Sequence, residues 1–168
     1  RVLLVDDDPG FRSLLQRVVV SAYPDSQCRG CGSVEESLAE GLYCGGASVL
    51  EHVLLPDVHP RVFDAILGER RPGGSGSLAI IETVTATSSI RAAEVALKGT
   101  PVELVELRLA DTGLSGKGLA IYRGELPDIE AAVEIVLGEL ARQDGAVECR
   151  IIPYPHDALV RQLGAGTE

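Results

Sequence analysis

Two cysteines three positions apart are the first residues whose spacing could do chemistry. Cys28-Arg29-Gly30-Cys31 is a C-x-x-C pair, which in proteins ligates zinc or an iron–sulfur cluster, or works as a redox dithiol. A zinc site would need a second such pair, which Cys44 and Cys149 do not form. A thioredoxin-like pair opens a helix after a strand, and this context differs. We therefore favour reduced thiols, with metal ligation as the alternative.

Two histidines, His59 and His156, each stand three positions after a proline. Neither has a nucleophile or a metal-binding partner at a spacing that would suggest catalysis. We interpret both as structural residues at the starts of helices. The sequence therefore predicts no catalytic residue, and we expect a protein that is not an enzyme.

A glycine-containing segment, residues 110–118, lies between two predicted strands. It does not match the G-x-x-x-x-G-K-[ST] pattern, and it lacks the strand–loop–helix context of a phosphate-binding loop. Its glycines allow a positive φ and a close approach of the backbone. We predict a turn between two strands.

Composition and charge narrow the class of protein. The net charge of −10 argues against nucleic acid as a partner, because phosphate binding needs clustered Lys and Arg. No apolar run reaches the roughly 18 residues of a membrane span, and no signal-like segment is present. We expect a soluble, intracellular protein with no membrane partner. The absence of Trp and the presence of only two Phe predict an aliphatic core.

One pattern occurs twice along the chain. Glu-x-x-aliphatic-aliphatic-Pro-x-x-His begins at Glu51 and again at Glu148, an offset of 148 − 51 = 97 residues. Weaker similarities upstream follow the same order, which predicts a tandem duplication. The predicted modules are an abbreviated first copy at residues 1–68, a linker at 69–77 and a second copy at 78–168. Modules of this size bury only a modest core alone, so we expect partners.

The elements that must position these residues follow from periodicity. In the first copy we predict strands at residues 1–7, 18–21 and 49–55. Helices are predicted after Asp8, from the capping pair Ser33 and Glu36 through residue 42, and at residues 60–67. The second copy is predicted to hold strands at 78–83, 102–109, 119–123 and 148–152, and helices at 88–98, 128–140 and 156–163. This order predicts an α/β (α+β) sandwich with helices packed on a mostly antiparallel sheet.

Six separated motifs of the second copy agree in order and spacing with one known family. They are Ala79-Ile80-Ile81-Glu82-Thr83, Ala92-Ala93-Glu94-Val95-Ala96-Leu97-Lys98, Val102-Glu103-Leu104-Val105, the loop at 112–118, Arg123-Gly124-Glu125 and Ile151-Ile152-Pro153-Tyr154-Pro155-His156. In this order they resemble the bacterial microcompartment (BMC) shell domain. Two copies in one chain resemble the tandem-domain shell proteins, in particular those of propanediol-utilisation compartments.

The resemblance implies a structural protein of the microcompartment shell, located in the bacterial cytoplasm. It implies homotrimers shaped like hexagons, which tile into facets with other shell proteins at their edges. Lys98 matches the lysine at the tile edge. A central pore would pass small metabolites or electrons, and its loop would consist of Thr112, Gly113, Leu114, Ser115 and Gly116.

The resemblance also bears on the C-x-x-C pair. Some relatives hold an iron–sulfur cluster at the pore through a cysteine of the first copy's pore loop, and Cys28 falls near that region. Cys28 and Cys31 are therefore the candidate metal ligands. The first copy lacks the Ala-Ala-x-x-x-x-Lys helix of the family, and reduced thiols with no cofactor stay the favoured interpretation.

The front of the chain suggests an alternative function. Asp6-Asp7-Asp8 after an apolar run resembles the start of a response-regulator receiver domain, where clustered carboxylates bind Mg²⁺. Asp57 resembles the phosphoacceptor of such a domain. This interpretation leaves the repeat and the motifs of the second copy unexplained, so we keep it as the alternative.

Overall fold

The structure, a computed structural model, describes residues 2–5, 28–31, 33–55, 57–110, 113–141 and 147–165. The chain separates into two compact units, Arg1–Leu54 and Leu55–Glu168. These units are defined by packing, whereas the boundary predicted at residue 68 rests on the duplication that we predict from the sequence. The two modules therefore stay a prediction. The helix predicted after Asp8 and the strand predicted at 18–21 lie outside the described residues.

The first unit contains two short strands and one helix in its described part. Strand β1 (Val2–Val5) pairs in parallel with β2 (Cys28–Cys31). Helix α1 (Val34–Gly45) begins as predicted, since the Ser33 hydroxyl accepts a hydrogen bond from the Glu36 amide at 3.1 Å. A 3₁₀ turn (Gly46–Ser48) follows. The parallel ladder differs from the antiparallel pairing that we predict for each module.

The strand predicted at residues 49–55 is wrong, because this segment has no regular secondary structure. Its aliphatic residues suit a strand, but a strand forms only beside a partner that accepts its backbone hydrogen bonds. Leu50 is instead 90% exposed. The segment carries the chain across the boundary between the two units.

The second unit is built on a four-stranded antiparallel sheet in the order β4-β5-β3-β6. Its strands are β3 (Ser77–Thr83), β4 (Glu103–Leu109), β5 (Gly118–Gly124) and β6 (Val147–Ile152). All four predicted strands of this unit are confirmed to within a residue at each end. The alternation of buried and less buried residues along β6 follows from the period of two in a strand.

Helices cover both faces of this sheet. They are α2 (Pro60–Ile66), α3 (Ala86–Gly99), α4 (Leu126–Leu140) and α5 (Asp157–Ala165). On one face, the small side chains of α3 let it pack closely with α4 against the sheet. On the other face, α5 packs through Leu159 and Leu163 on Leu78, Val105 and Ile121. The core of the first face includes Ala79, Ile81, Ala92, Ala93, Ala96, Leu104, Tyr122, Ile129, Ala132 and Val136. The predicted sandwich is confirmed.

Strand β4 lies at an edge of the sheet, and polar groups from the preceding segment satisfy its backbone. The buried Arg61 guanidinium donates from Nε to the Leu104 carbonyl at 3.0 Å, and the Arg71 amide donates to the Val105 carbonyl at 2.8 Å. The β4–β5 register shifts between Leu104 and Glu106, as at a β-bulge. An edge covered in this way cannot easily add a further strand.

Candidate functional site

The predicted pore loop connects β4 to β5 as an exposed turn. Its stem is closed by the Ala110 amide, which donates to the Lys117 carbonyl at 2.9 Å, and by the Lys117 amide, which donates to the Leu114 carbonyl at 3.0 Å. Gly113 and Gly116 have φ of 91° and 87°, values that glycine adopts without strain. The loop joins two antiparallel strands, so the prediction of a turn is confirmed. Of the five predicted pore residues, Thr112 lies outside the described residues.

An ion pair ties this loop to the neighbouring strand. Lys117 Nζ lies 2.6 Å from Glu82 Oε1 on β3. Glu82 stands opposite Leu119 of β5 on one side and Glu148 of β6 on the other. Because like charges opposite each other in a sheet repel, Lys117 offsets an unfavourable pair of carboxylates. The only charged side chain among residues 113–117 is thus neutralised at the base of the loop.

Lys98, the predicted tile-edge residue, lies in the last turn of α3 and is held by two partners. Its Nζ lies 2.6 Å from Glu94 Oε1, one helical turn earlier, and donates to the Asp57 carbonyl at 2.7 Å. The Glu94 carboxylate also accepts from the His59 amide, at 3.0 Å to Oε2 and 3.2 Å to Oε1. A lysine near a helix C-terminus is favourable for the helix dipole. Here it also fastens the turn before α2 to helix α3.

The two Pro-x-x-His segments share a local geometry. Asp57 and Tyr154, the residues after each proline, have φ of 55° and 51°. His59 Nδ1 accepts from the Arg61 amide at 3.1 Å, and His156 Nδ1 accepts from the Ala158 amide at 3.1 Å. Each imidazole therefore satisfies a free amide at the start of a helix, α2 or α5. This agrees with the structural role predicted for both histidines.

The cysteine pair occupies the two ends of strand β2, where Cys28 pairs with Val2 and Cys31 with Val5. Three residues of extended backbone separate two Cα atoms by about 10 Å. Within the described residues, no group of three or more His, Cys, Asp or Glu could hold a metal.

Sequence reasoning did not identify Glu94 or Glu82 as functional partners. The signal for Glu94 is present, because a glutamate four residues before a lysine on a helix forms a favourable pair. The signal for Glu82 is absent, because its pairing with Lys117 depends on the register of β3 and β5. Asp57, proposed as a phosphoacceptor in the alternative, belongs to the second unit and is bonded there to Lys98. The structure gives the receiver interpretation no support.

None of the helices in the described part of the chain combines the length and apolarity needed to cross a bilayer.

Comparison with known proteins places these features in a family. Residues 77–155 match the BMC domain. The chain is 31% identical over 136 residues to the bacterial microcompartment shell protein PduT of Citrobacter freundii, covering 80% of this chain and 73% of that protein. A crystal structure of a microcompartment protein from Desulfitobacterium hafniense DCB superposes with a TM-score of 0.67 at 33% identity, covering 79% of this chain and 73% of that one. The chain therefore belongs to the BMC-domain family of microcompartment shell proteins.

Proposed function

We propose that this protein is a structural, non-catalytic component of a microcompartment shell in the bacterial cytoplasm, and that three chains form one flat, pseudo-hexagonal particle. The observation that carries the proposal is the agreement with a shell protein over 80% of the chain. The fold supports it, because the second unit presents an exposed loop from one end of its sheet and a lysine at the end of a helix. The partners are further copies of this chain and other shell proteins.

The loop at residues 113–116 is the proposed lining of the central pore. Its exposed residues are small, and Lys117 is engaged by Glu82 at 2.6 Å. The loop therefore presents the Ser115 hydroxyl and backbone groups to a passing molecule. Donors and acceptors of this kind suit a small polar metabolite, since pore selectivity depends on the groups that line it. Passage of small metabolites is the function that we propose for the opening.

Lys98 is the proposed contact between neighbouring particles. We expect Lys98→Asp to abolish the formation of two-dimensional sheets, because the reversed charge recurs at every edge of the lattice. Because it also places a second carboxylate beside buried Glu94, Lys98→Gln is measured in parallel as the variant that should weaken the sheets and keep the particle intact. Electron microscopy of the unaltered protein and both variants at equal concentration measures the loss of sheets, and mass in solution reports the particle.

Arg150→Asp is the matched control for this experiment. Arg150 is exposed and pairs at 3.6 Å with Glu148, which is exposed as well. Such a surface pair contributes little to stability, so its loss should be tolerated. Sheets that form normally from the Lys98→Asp variant would contradict the edge role.

Electron transfer through a pore-bound cluster is the second candidate use of the opening. We propose instead that Cys28 and Cys31 stay reduced and carry no cofactor, because the first copy lacks the Ala-Ala-x-x-x-x-Lys helix of the family and the sequence has no second C-x-x-C pair. Protein purified without oxygen should contain no stoichiometric iron or sulfide and show no visible absorbance. Iron at one or more atoms per three chains, lost in Cys28→Ser, would overturn this prediction.

A further inference from the structure

Glu94 is a carboxylate that the fold removes from water. Its side chain is only 6% exposed, whereas the Lys98 side chain beside it is 45% exposed. A buried charge is tolerated only where hydrogen bonds and an opposite charge replace its hydration. Here the His59 amide and the Lys98 ammonium supply both. The position of Lys98 is therefore coupled to the buried carboxylate.

The same contacts fix where the ammonium group points. An ammonium has three N–H donors. One is directed at Glu94 Oε1 at 2.6 Å and one at the Asp57 carbonyl at 2.7 Å. Because these two contacts fix two of the N–H donors, they also fix the direction of the third N–H. That third donor is left to bind another molecule. A lysine that is already ordered loses less side-chain entropy when it binds.

We propose that Glu94 is the positioning residue of the contact between particles: it holds Lys98 Nζ so that its remaining donor meets an acceptor on a neighbouring copy. The proposal rests on the edge role proposed for Lys98. It adds that the partner recognises a directed hydrogen-bond donor, since the charge of Lys98 is already offset by Glu94.

The chain offers a matched comparison, because Lys98 and Lys117 are its two lysines. Both ammonium groups lie 2.6 Å from a glutamate, and the two side chains are similarly exposed. They differ in the carboxylate, which is buried for Glu94 and 33% exposed for Glu82. Glu94→Gln and Glu82→Gln therefore remove the same charge from two pairs that differ mainly in burial.

The experiment measures lysine acetylation by mass spectrometry in dilute protein, before sheets form, together with the concentration at which sheets appear. We expect Glu94→Gln to speed acetylation of Lys98 by about fivefold, the factor for an interaction of roughly 1 kcal/mol. Lys117 in the same molecules should be unchanged. Sheets should need a higher protein concentration. Glu82→Gln should speed acetylation of Lys117 and leave sheet formation as in the unaltered protein.

Each of the other outcomes would overturn the positioning role of Glu94, the edge role of Lys98, or both. Normal sheets from Glu94→Gln, with sheets lost in Lys98→Asp, would overturn the positioning role and leave the edge role intact. Normal sheets from Lys98→Asp would overturn the edge role and this proposal with it. Weakened sheets without faster acetylation of Lys98 would show that Glu94 acts only on the fold, which also overturns the proposal. If the Glu94→Gln variant does not fold, the acetylation rates of the two lysines are compared in the unaltered protein. The proposal then requires that Lys98 is acetylated more slowly than Lys117.

Discussion

At the scale of single residues, the Tyr122 hydroxyl stands in an unusual environment. Tyr122 is fully buried, and its hydroxyl has no hydrogen-bond partner among the described residues. Burial, together with nearby Cys149, raises the pKa of Tyr122 well above its ordinary value of 10.0. The folded state therefore keeps the proton in a pH range where the unfolded chain releases it.

This environment predicts a pH dependence of stability. The stabilisation from neutral Tyr122 is complete below pH 10 and is lost as the pH rises above 10, by up to about 1.4 kcal/mol per pH unit. Tyr122→Phe should remove this slope. At neutral pH it should leave the free energy of unfolding unchanged or raise it by up to about 1 kcal/mol, because no hydrogen bond is lost. Denaturant unfolding from pH 7 to pH 11 measures both effects.

The control for this prediction is Tyr43→Phe, since the Tyr43 side chain is 81% exposed. The same slope above pH 10 in the Tyr122→Phe variant and in the unaltered protein would show that the Tyr122 hydroxyl is not the group responsible.

Residue roles could be predicted from the sequence only in part. The edge role of Lys98 is a prediction that rests on resemblance to a family motif, and the structure adds the two partners of its ammonium group, which no motif states. The pairing of Glu94 with Lys98 could be predicted from their i, i+4 spacing. The burial of Glu94 could not, because it depends on the Asp57–His59 turn, and His59 is 35 residues away from Glu94 in the chain. Long-range packing of this kind leaves no local pattern in a sequence.

At the scale of elements, helix α3 approaches strand β5 closely enough that one position requires glycine. A methyl group added to Gly118 would overlap the Cβ of Ser89 and lie 2.9 Å from its hydroxyl and 3.0 Å from that of Thr83. Ser89 is fully buried on α3 and cannot swing into solvent. Gly118→Ala should lower the free energy of unfolding by about 1–3 kcal/mol, the usual cost of overpacking a core. Urea unfolding measures it.

Gly138→Ala supplies the matched control within helix α4, because nothing lies within 4 Å of an added methyl group there. Alanine is the better helix former, so this variant should gain up to about 1 kcal/mol. Equal effects of the two substitutions would mean that the contact between α3 and β5 is looser than described.

The elements of the second unit were predictable because each carries a complete local signal. Helix α3 is an example. The Thr85 hydroxyl accepts a hydrogen bond from the Ser88 amide at 3.0 Å, and the helix begins at Ala86, two residues before the predicted start. Residues 49–55 carry the composition of a strand but find no partner strand in the described part of the chain. The sequence does not predict strand β2, because its Arg and Gly lack a strand pattern. In both segments, whether a strand forms depends on pairing with a segment that is distant in the chain.

At the scale of the whole molecule, the second unit leaves apolar side chains in contact with solvent. Phe63, Ile66 and Leu67 are exposed at and just after α2, and Ile135 and Leu137 are exposed on α4. Single exposed apolar residues are ordinary, but a cluster within one turn of chain often marks an interface. These surfaces fit a protein whose small units are completed by association.

The last prediction is the size of the particle in solution. We expect a trimer of three times 17.7 kDa, about 53 kDa, because a closed ring of two modules per chain gives six modules around one axis. Sedimentation and light scattering from about 1 to 100 μM should give one mass that does not change with dilution. The Lys98→Gln variant serves here as the informative comparison, since it should keep this mass while forming sheets less readily. A stable monomer throughout that range would contradict the ring and, with it, a pore built from the loops of several chains.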